Sequence, residues 1–254
     1  MRDHVRAFVN IAAESFAARG PVYEFGSYLV DGVGGIGDLR GCFPGREYIG
    51  CDMREGPGVD RIEDLGELNL PDNSARTIIC VDTLEHVFEV RRAAEEMLRV
   101  LAPGGLILIA VPLDFRIHDY PSDYWRLTPS CLERMLAPLD ATLVGWQGVD
   151  SFPHTVFAIG AKSPLSVTFA QGSQRFMAAY QAWLSEAAKR IQLRRRLKRR
   201  LLAWLRSKGE RRRMACEHEA RFVLHLQVDG HGQHDWRQAV NELADLGSRL
   251  DVNS

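Results

Sequence analysis

The first groups able to do chemistry stand at the ends of short apolar runs. Glu24 and Gly26 close the run beginning at Val22-Tyr23, and Asp52 closes Tyr48-Ile49-Gly50-Cys51. Valine, tyrosine and phenylalanine suit a strand, and a glycine lets the backbone turn sharply after it. In an open α/β sheet, ligands bind beyond the carboxyl ends of the strands, where the strand order reverses. Two neighbouring strands ending this way aim Glu24, Gly26 and Asp52 at one crevice. A carboxylate there can accept from both hydroxyls of a ribose, so the chemistry implied is capture of a nucleoside cofactor. A second group, His118, lies in a loop with Asp119, Tyr120, Asp123, Tyr124 and Trp125. Histidine is the side chain most often used to move a proton near neutral pH. The plainer alternative is that His118, Tyr124, Trp125 and Arg126 lock that loop by packing and hydrogen bonds.

The segment Gly32-Val33-Gly34-Gly35-Ile36-Gly37 matches the dinucleotide pattern G-x-G-x-x-G, and Asp52 follows its last glycine by fifteen residues. That pattern needs a strand before it and a helix opening at its last glycine. Gly41 and Pro44 interrupt the following segment, leaving a pyrophosphate little helix N-terminus to sit on. A nicotinamide-dependent oxidoreductase is therefore the runner-up reading.

The elements that would position these groups alternate. Residues 3–18 carry Val5, Phe8, Val9, Ala12 and Phe16 at helical spacing. Strands are expected at 22–25, 47–51, 59–62 and 77–81, with at most a short helix around 36–42. A helix over 83–101, stopped by Pro103-Gly104-Gly105, leads to a central strand at 106–111. Glu85 and His86 fall at the start of that helix, where His86 would orient the loop or cap the helix. Thr128-Pro129 opens a further helix. Residues 141–145 and 154–159 read as two last strands forming an antiparallel edge. The strand–helix–strand spacing implies a mostly parallel sheet with right-handed crossovers, complete by about residue 163.

Bulk properties fit this picture. The chain has 254 residues, 46% hydrophobic and 26% charged, with a net charge of −1. No general field draws it to nucleic acid, and no apolar run approaches the length of a membrane span. Five cysteines (42, 51, 80, 131, 216) form no C-x-x-C pair. An odd count without such pairs points to a reducing cytoplasm and to no metal site. The late histidines at 218, 225, 231 and 234 add only Cys216-x-His218, too little for a ligand set.

Five stretches in register carry a resemblance: EFGSY (24–28), FPGREYIGCDMREGPGVD (43–60), VDTLEHV (81–87), LRVLAPGGLILIAVP (98–112) and IHDYPSDYWRLTP (117–129). Over residues 20–162 the chain resembles class I S-adenosylmethionine-dependent methyltransferases, and more closely a bacterial subgroup of the methyltransferase type 11 kind. The resemblance implies a Rossmann-like fold with a mostly parallel seven-stranded sheet flanked by helices, and S-adenosyl-L-methionine as cofactor. It implies that Glu24, Gly26, Ser27 and Tyr28 lie by the cofactor's methionine end. Asp52 would hold the ribose hydroxyls, with Met53 against the adenine and Asp64 and Leu65 at the adenine edge. Val81 and Asp82 would close the pocket. Many methyltransferases show a fuller E/D-x-G-x-G pattern, whereas Ser27-Tyr28 follows Gly26 directly here. His118 would then border the cofactor's methyl group as the catalytic candidate. Its aromatic and acidic neighbours suit a small-molecule or glycan acceptor of O-methylation. A non-catalytic protein keeping the same fold is the third reading.

Residues 164–254 read as a C-terminal extension to the domain at 1–163. From about 173 to 208 the pattern is helical and strongly basic, densest over 189–208, with Leu193, Leu197, Leu201 and Trp204 on an apolar stripe and Trp183 before it. Such a helix suits contact with an anionic partner or a membrane surface, which would place the chain at the inner face of a membrane. No base-reading motif accompanies it, so sequence-specific nucleic-acid binding is not expected. Residues 221–228 alternate like a strand, and 235–250 would be a closing helix.

Overall fold

The computed structural model describes residues 3–30, 37–118, 122–164, 168–201 and 220–226. The glycines at 32, 34 and 35, Asp119, Tyr120, the basic residues from 206 on, Trp204, Cys216, the histidines at 218, 231 and 234, and the helix expected over 235–250 lie outside them.

Helix α1 (Asp3–Ser15) buries Val5, Phe8, Val9 and Ala12, the one-faced spacing that fixes an amphipathic helix on a core. The strands are β1 (Val22–Phe25), β2 (Tyr48–Asp52), β3 (Arg61–Ile62), β4 (Ala75–Val81), β5 (Leu101–Pro112), β6 (Ala141–Val149), β7 (Phe152–Ala161) and β8 (Ala220–Leu226). The remaining helices are α2 (Val90–Val100), α3 (Pro129–Met135) and α4 (Thr168–Leu201). Sheet order is β3-β2-β1-β4-β5-β7-β6-β8. Neighbours among β1 to β5 pair in parallel, while β7 runs antiparallel to both β5 and β6. The first seven strands are the expected Rossmann-like arrangement, its order reversing between β1 and β4.

The central strands alternate sides. Ile79, Val81, Leu108 and Ala110 face a core built with α1 and α4, and Ile78, Cys80, Ile107 and Ile109 face one built with α2 and α3. Both faces are covered, which is why these strands read as unbroken apolar runs. Thr128 caps α3 by accepting from the Cys131 amide, with Pro129 at the first helical position.

Three expectations are corrected. The hairpin β6–β7 does not form the sheet edge: β7 lies inside, against β5, and β8 adds antiparallel to β6 as an eighth strand. The helix expected from Thr83 begins only at Val90. Asp82 has a left-handed backbone (φ 48°) and residues 84–86 form a single 3-10 turn. Third, the described part of the expected extension shares the domain's core. Phe176, Tyr180 and Leu184 of α4 are fully buried, Phe8 stacks on Phe157 at 4.6 Å, and Phe222 of β8 meets Phe176 edge-on at 5.1 Å. Trp183 packs partly buried against the same core, stacked on Tyr180. It therefore does not belong to a free apolar stripe. Among the described residues no helix is long and apolar enough to cross a membrane.

Candidate active site

A cavity of about 910 Å³ opens at the carboxyl ends of β1, β2, β4 and β5, the place where an open α/β sheet takes its ligand. Its walls include every expected site residue: Glu24, Gly26, Ser27, Tyr28, Asp52, Met53, Asp64, Leu65, Val81, Asp82 and His118. Sequence reasoning missed Thr83, Phe88 and Phe115 on the same walls. Their signal was position, each lying within a few residues past a strand end.

The turn after β1 is built around Gly26. Its φ is +86°, and a Cβ there would fall 2.0 Å from Thr83 Oγ1. The Thr83 hydroxyl lies within hydrogen-bonding reach of the Phe25 and Val81 carbonyls, tying the ends of β1 and β4 together. The amides of Gly26 and Ser27 both donate to Cys51 O, at 2.8 and 3.0 Å. Tyr28 lies across Gly56, where a Cβ would meet its ring at 2.3 Å, and the Arg54 guanidinium sits over the ring, 4.5 Å from its centroid.

Asp52 ends β2 with one backbone amide on each oxygen, and the Arg54 Nε lies 3.5 Å from Oδ1. Oδ2 accepts from the Tyr28 amide at 3.3 Å and Oδ1 from the Arg54 amide at 3.1 Å. A carboxylate oxygen has two lone pairs, so each can accept one more donor, as a ribose diol requires. Glu24 is 5% exposed and accepts from the Tyr48 hydroxyl at 2.6 Å. Burial pushes its carboxyl up to about 7, against the lowering effects of Tyr48 and Arg40. A buried acid so placed favours a cation, and a sulfonium or an amine would restore its charged form. Met53 is 59% exposed on the wall, an apolar surface open to a planar ring. Asp64 Oδ1 accepts from the Gly66 amide at 2.8 Å, and Leu65 is buried beside it. These groups fit S-adenosylmethionine: a diol acceptor, an apolar ledge, and a buried acid toward a cationic end.

The opposite wall joins the loops after β4 and β5. The Tyr124 amide donates to Glu85 O at 2.7 Å, and the Trp125 indole N–H to Val87 O at 3.0 Å. Asp123 holds Arg126 through two bonds, at 2.5 and 2.7 Å, and this pairing keeps its carboxyl far below the usual carboxylate range. It therefore only accepts, so His118 Nδ1, at 3.0 Å from Asp123 Oδ2, must carry the proton. Likewise His86 Nδ1 lies 2.6 Å from Ser122 O and must donate to it. Burial lowers the basicity of His86, and burial followed by the charge of Asp82 pushes Glu85 up to about 8. Phe88, Phe115 and Tyr124 complete an aromatic rim, with Phe88 and Tyr124 edge-on at 5.3 Å.

The dinucleotide reading loses its helix. Gly37 lines the cavity, but the next described element is the single 3-10 turn Arg40–Cys42, with no helix N-terminus for a pyrophosphate.

Comparison with known proteins agrees with the geometry. Residues 47–109 match the family Methyltransf_11, a methyltransferase domain. A Mycolicibacterium smegmatis protein named as a probable S-adenosylmethionine-dependent methyltransferase is 35% identical over 77 residues, 26% of this chain. That match spans only 30% of the relative's length. Among solved structures, an Archaeoglobus fulgidus SAM-dependent methyltransferase is similar at 16% identity and a TM-score of 0.47, over 62% of this chain and 93% of that one. A Thermotoga maritima SAM-dependent methyltransferase, titled a possible histamine N-methyltransferase, is similar at 16% identity and a TM-score of 0.41, over 63% and 92%. The stretch that the methyltransferase-domain family matches runs from β2 into β5 and carries the Asp52 and Val81–Thr83 walls of the cavity.

Proposed function

We propose that the protein methylates an oxygen of a small-molecule or glycan acceptor. The observation that carries the reading is the pairing, across one cavity, of a nucleoside-holding wall (Glu24, Gly26, Asp52) with a proton-accepting wall (His118–Asp123) under an aromatic rim. The bound cofactor supplies an electrophilic methyl carbon on a cationic sulfur. Asp52 takes the ribose hydroxyls, Met53 and Leu65 flank the adenine, and Asp64 meets its edge. Glu24, Gly26, Ser27 and Tyr28 hold the methionine end, and Val81 and Asp82 close the pocket.

With Nδ1–H committed to Asp123, His118 has a free lone pair on Nε2. That atom would take the proton of the acceptor hydroxyl, readying the oxygen for the electrophilic methyl carbon that the cofactor would supply. Holding the two partners in line supplies roughly 7–11 kcal/mol in such reactions. Phe88, Phe115 and Tyr124 offer flat apolar surface for a sugar or aromatic ring. The basic stretch 189–208 would bring the chain to an anionic surface at the cytoplasmic side, which suits a membrane-linked acceptor.

Thermal unfolding with S-adenosylmethionine, S-adenosylhomocysteine or NAD+ tests the cofactor, since a ligand raises the stability of the state it binds. Stabilisation by the first two is expected, and stabilisation by NAD+ alone would overturn the assignment. Methyl-labelled cofactor with a panel of hydroxyl acceptors tests the reaction. Label appearing only on nitrogen or carbon would refute O-methylation.

A further inference from the structure

We propose that Glu85, His86 and His118 form a site for a divalent transition-metal ion on the acceptor wall of the cavity. One donor atom from each of the three lies within 4.8 Å of the other two. Donors sharing an ion at about 2.0–2.2 Å stand roughly 3–4 Å apart, a closure within reach of side-chain rotation.

Two independent observations point to a ligand. The first is Glu85: its side chain is 1% exposed, lines the cavity, and among the described residues neither carboxylate oxygen has a hydrogen-bond partner outside its own residue. Its nearest cationic candidate is His86 Nε2, at 3.8 Å from Oε1. A buried carboxylate without a donor is expensive to keep, and an ion would satisfy it. The second is the way the two imidazoles are held. His118 gives Nδ1–H to a carboxylate and His86 gives Nδ1–H to a backbone carbonyl. Both imidazoles thereby carry their proton on Nδ1, and metal-ligating histidines are oriented in this manner. The rings stand 4.7 Å apart at 76°, converging without stacking. Asp123 is in turn clamped by Arg126, so the support of His118 is itself fixed.

Two imidazoles and one carboxylate suit Zn2+, Fe2+, Co2+ or Mn2+ and leave coordination positions open. This use of the site rests on the proposed methyl transfer. The acceptor oxygen would bind the ion and lose its proton to solvent, form its bond to the methyl carbon, and leave the sulfur its electron pair as a neutral thioether. His118 then serves as a ligand, and the ion takes over the acidifying role that a lone imidazole would fill.

The test is metal binding itself, which requires no turnover. Full-length protein stripped with a chelator is titrated with Co2+ and followed by visible absorption and calorimetry. One saturable equivalent is expected, displaced by Zn2+ and lost in His118→Ala and in Glu85→Gln. Both variants should keep the parent's circular dichroism, and His118→Ala its affinity for S-adenosylhomocysteine. No stoichiometric binding by the parent would overturn the proposal. So would an equivalent that persists in both variants and vanishes in His218→Ala. Metal binding without methyl transfer would refute only the proposed reaction; methyl transfer unaffected by metal removal, with no Co2+ bound, would refute only the metal site.

Discussion

Replacing Glu24 with glutamine should stabilise the ligand-free protein and weaken its hold on the cofactor. Glu24 lies 5% exposed under the cavity floor, and burial lifts its carboxyl from 4.5 to about 7. Between those values the native state keeps a proton that the unfolded chain has lost. Stability therefore falls as pH rises across that window, and the full penalty stands above pH 7. At about 1.4 kcal/mol per pH unit the penalty is about 3 kcal/mol. Glutamine still offers an amide oxygen to the Tyr48 hydroxyl, so the substitution removes the charge and leaves the bond. The expected outcome is a melting temperature higher by roughly 6–12 °C at pH 8, given about 2–4 °C per kcal/mol for a chain of this size. The gain should shrink below pH 7 and vanish near pH 4.5. Circular dichroism melts from pH 5 to 9 measure it. A variant no more stable than the parent at pH 8, or a gain equal at pH 5 and pH 8, would refute the reasoning. The same variant should bind S-adenosylmethionine about ten- to a hundredfold more weakly at pH 8, the loss of one charge-assisted contact of roughly 1.5–3 kcal/mol.

Asp52→Ala removes the only carboxylate with a spare lone pair on each oxygen at the end of β2. Calorimetry should show at least a hundredfold loss of S-adenosylhomocysteine affinity with unchanged folding, and an unaltered affinity would sink the cofactor assignment. Gly26→Ala places a Cβ 2.0 Å from Thr83 Oγ1 at a φ of +86°. It should destabilise the protein by about 1–3 kcal/mol, measured by denaturant unfolding, and reduce cofactor binding as the joint between β1 and β4 opens. Reversing Arg194, Arg195, Arg196, Lys198, Arg199 and Arg200 to glutamate in the full-length chain should abolish flotation with phosphatidylserine vesicles. Equal flotation of parent and variant would end the membrane-surface reading. Truncation is the wrong tool there, because α4 supplies Phe176, Tyr180 and Leu184 to the core.

Much of the architecture was legible because its signals are local. The runs at 77–81 and 106–111 are apolar on both faces, as only strands covered by helices on both sides can be. Asp52 and Glu24 could be placed in one crevice because strand ends in a parallel sheet share an edge. Pairing partners were not legible. The alternation at 221–228 announces a strand but not its neighbour, and β8 joins β6 across some 75 residues of sequence. The same limit hid the role of α4. Its basic composition masks a core-facing side on which Phe176 and Tyr180 fill the space beside Phe8 and Phe157. The late start of α2 was hidden too. Thr83 and Glu85 are acceptable helix residues, and only the left-handed Asp82 and the strand-tying Thr83 hydroxyl explain why the helix waits until Val90.

The acceptor wall shows why a residue pattern can conceal a site. Glu85 and His86 read as a helix start, and His118 as a lone base, because 32 residues separate the pair from His118. The sheet removes that separation. β4 and β5 are parallel neighbours, so the loops leaving their carboxyl ends must meet. Backbone bonds from Tyr124 and Trp125 to Glu85 O then fix the two loops together. Because Asp123 grips both His118 and Arg126, the imidazole is positioned before any ligand arrives. A loop held only to be stable would bury apolar groups at this junction, since an unpaired buried carboxylate works against folding. Retaining Glu85 there, beside two oriented imidazoles and opposite a second buried acid at Glu24, gives up stability at two points of one cavity. Those two points are where the proposed chemistry needs charge: one toward the cationic cofactor, the other toward the oxygen that receives the methyl group.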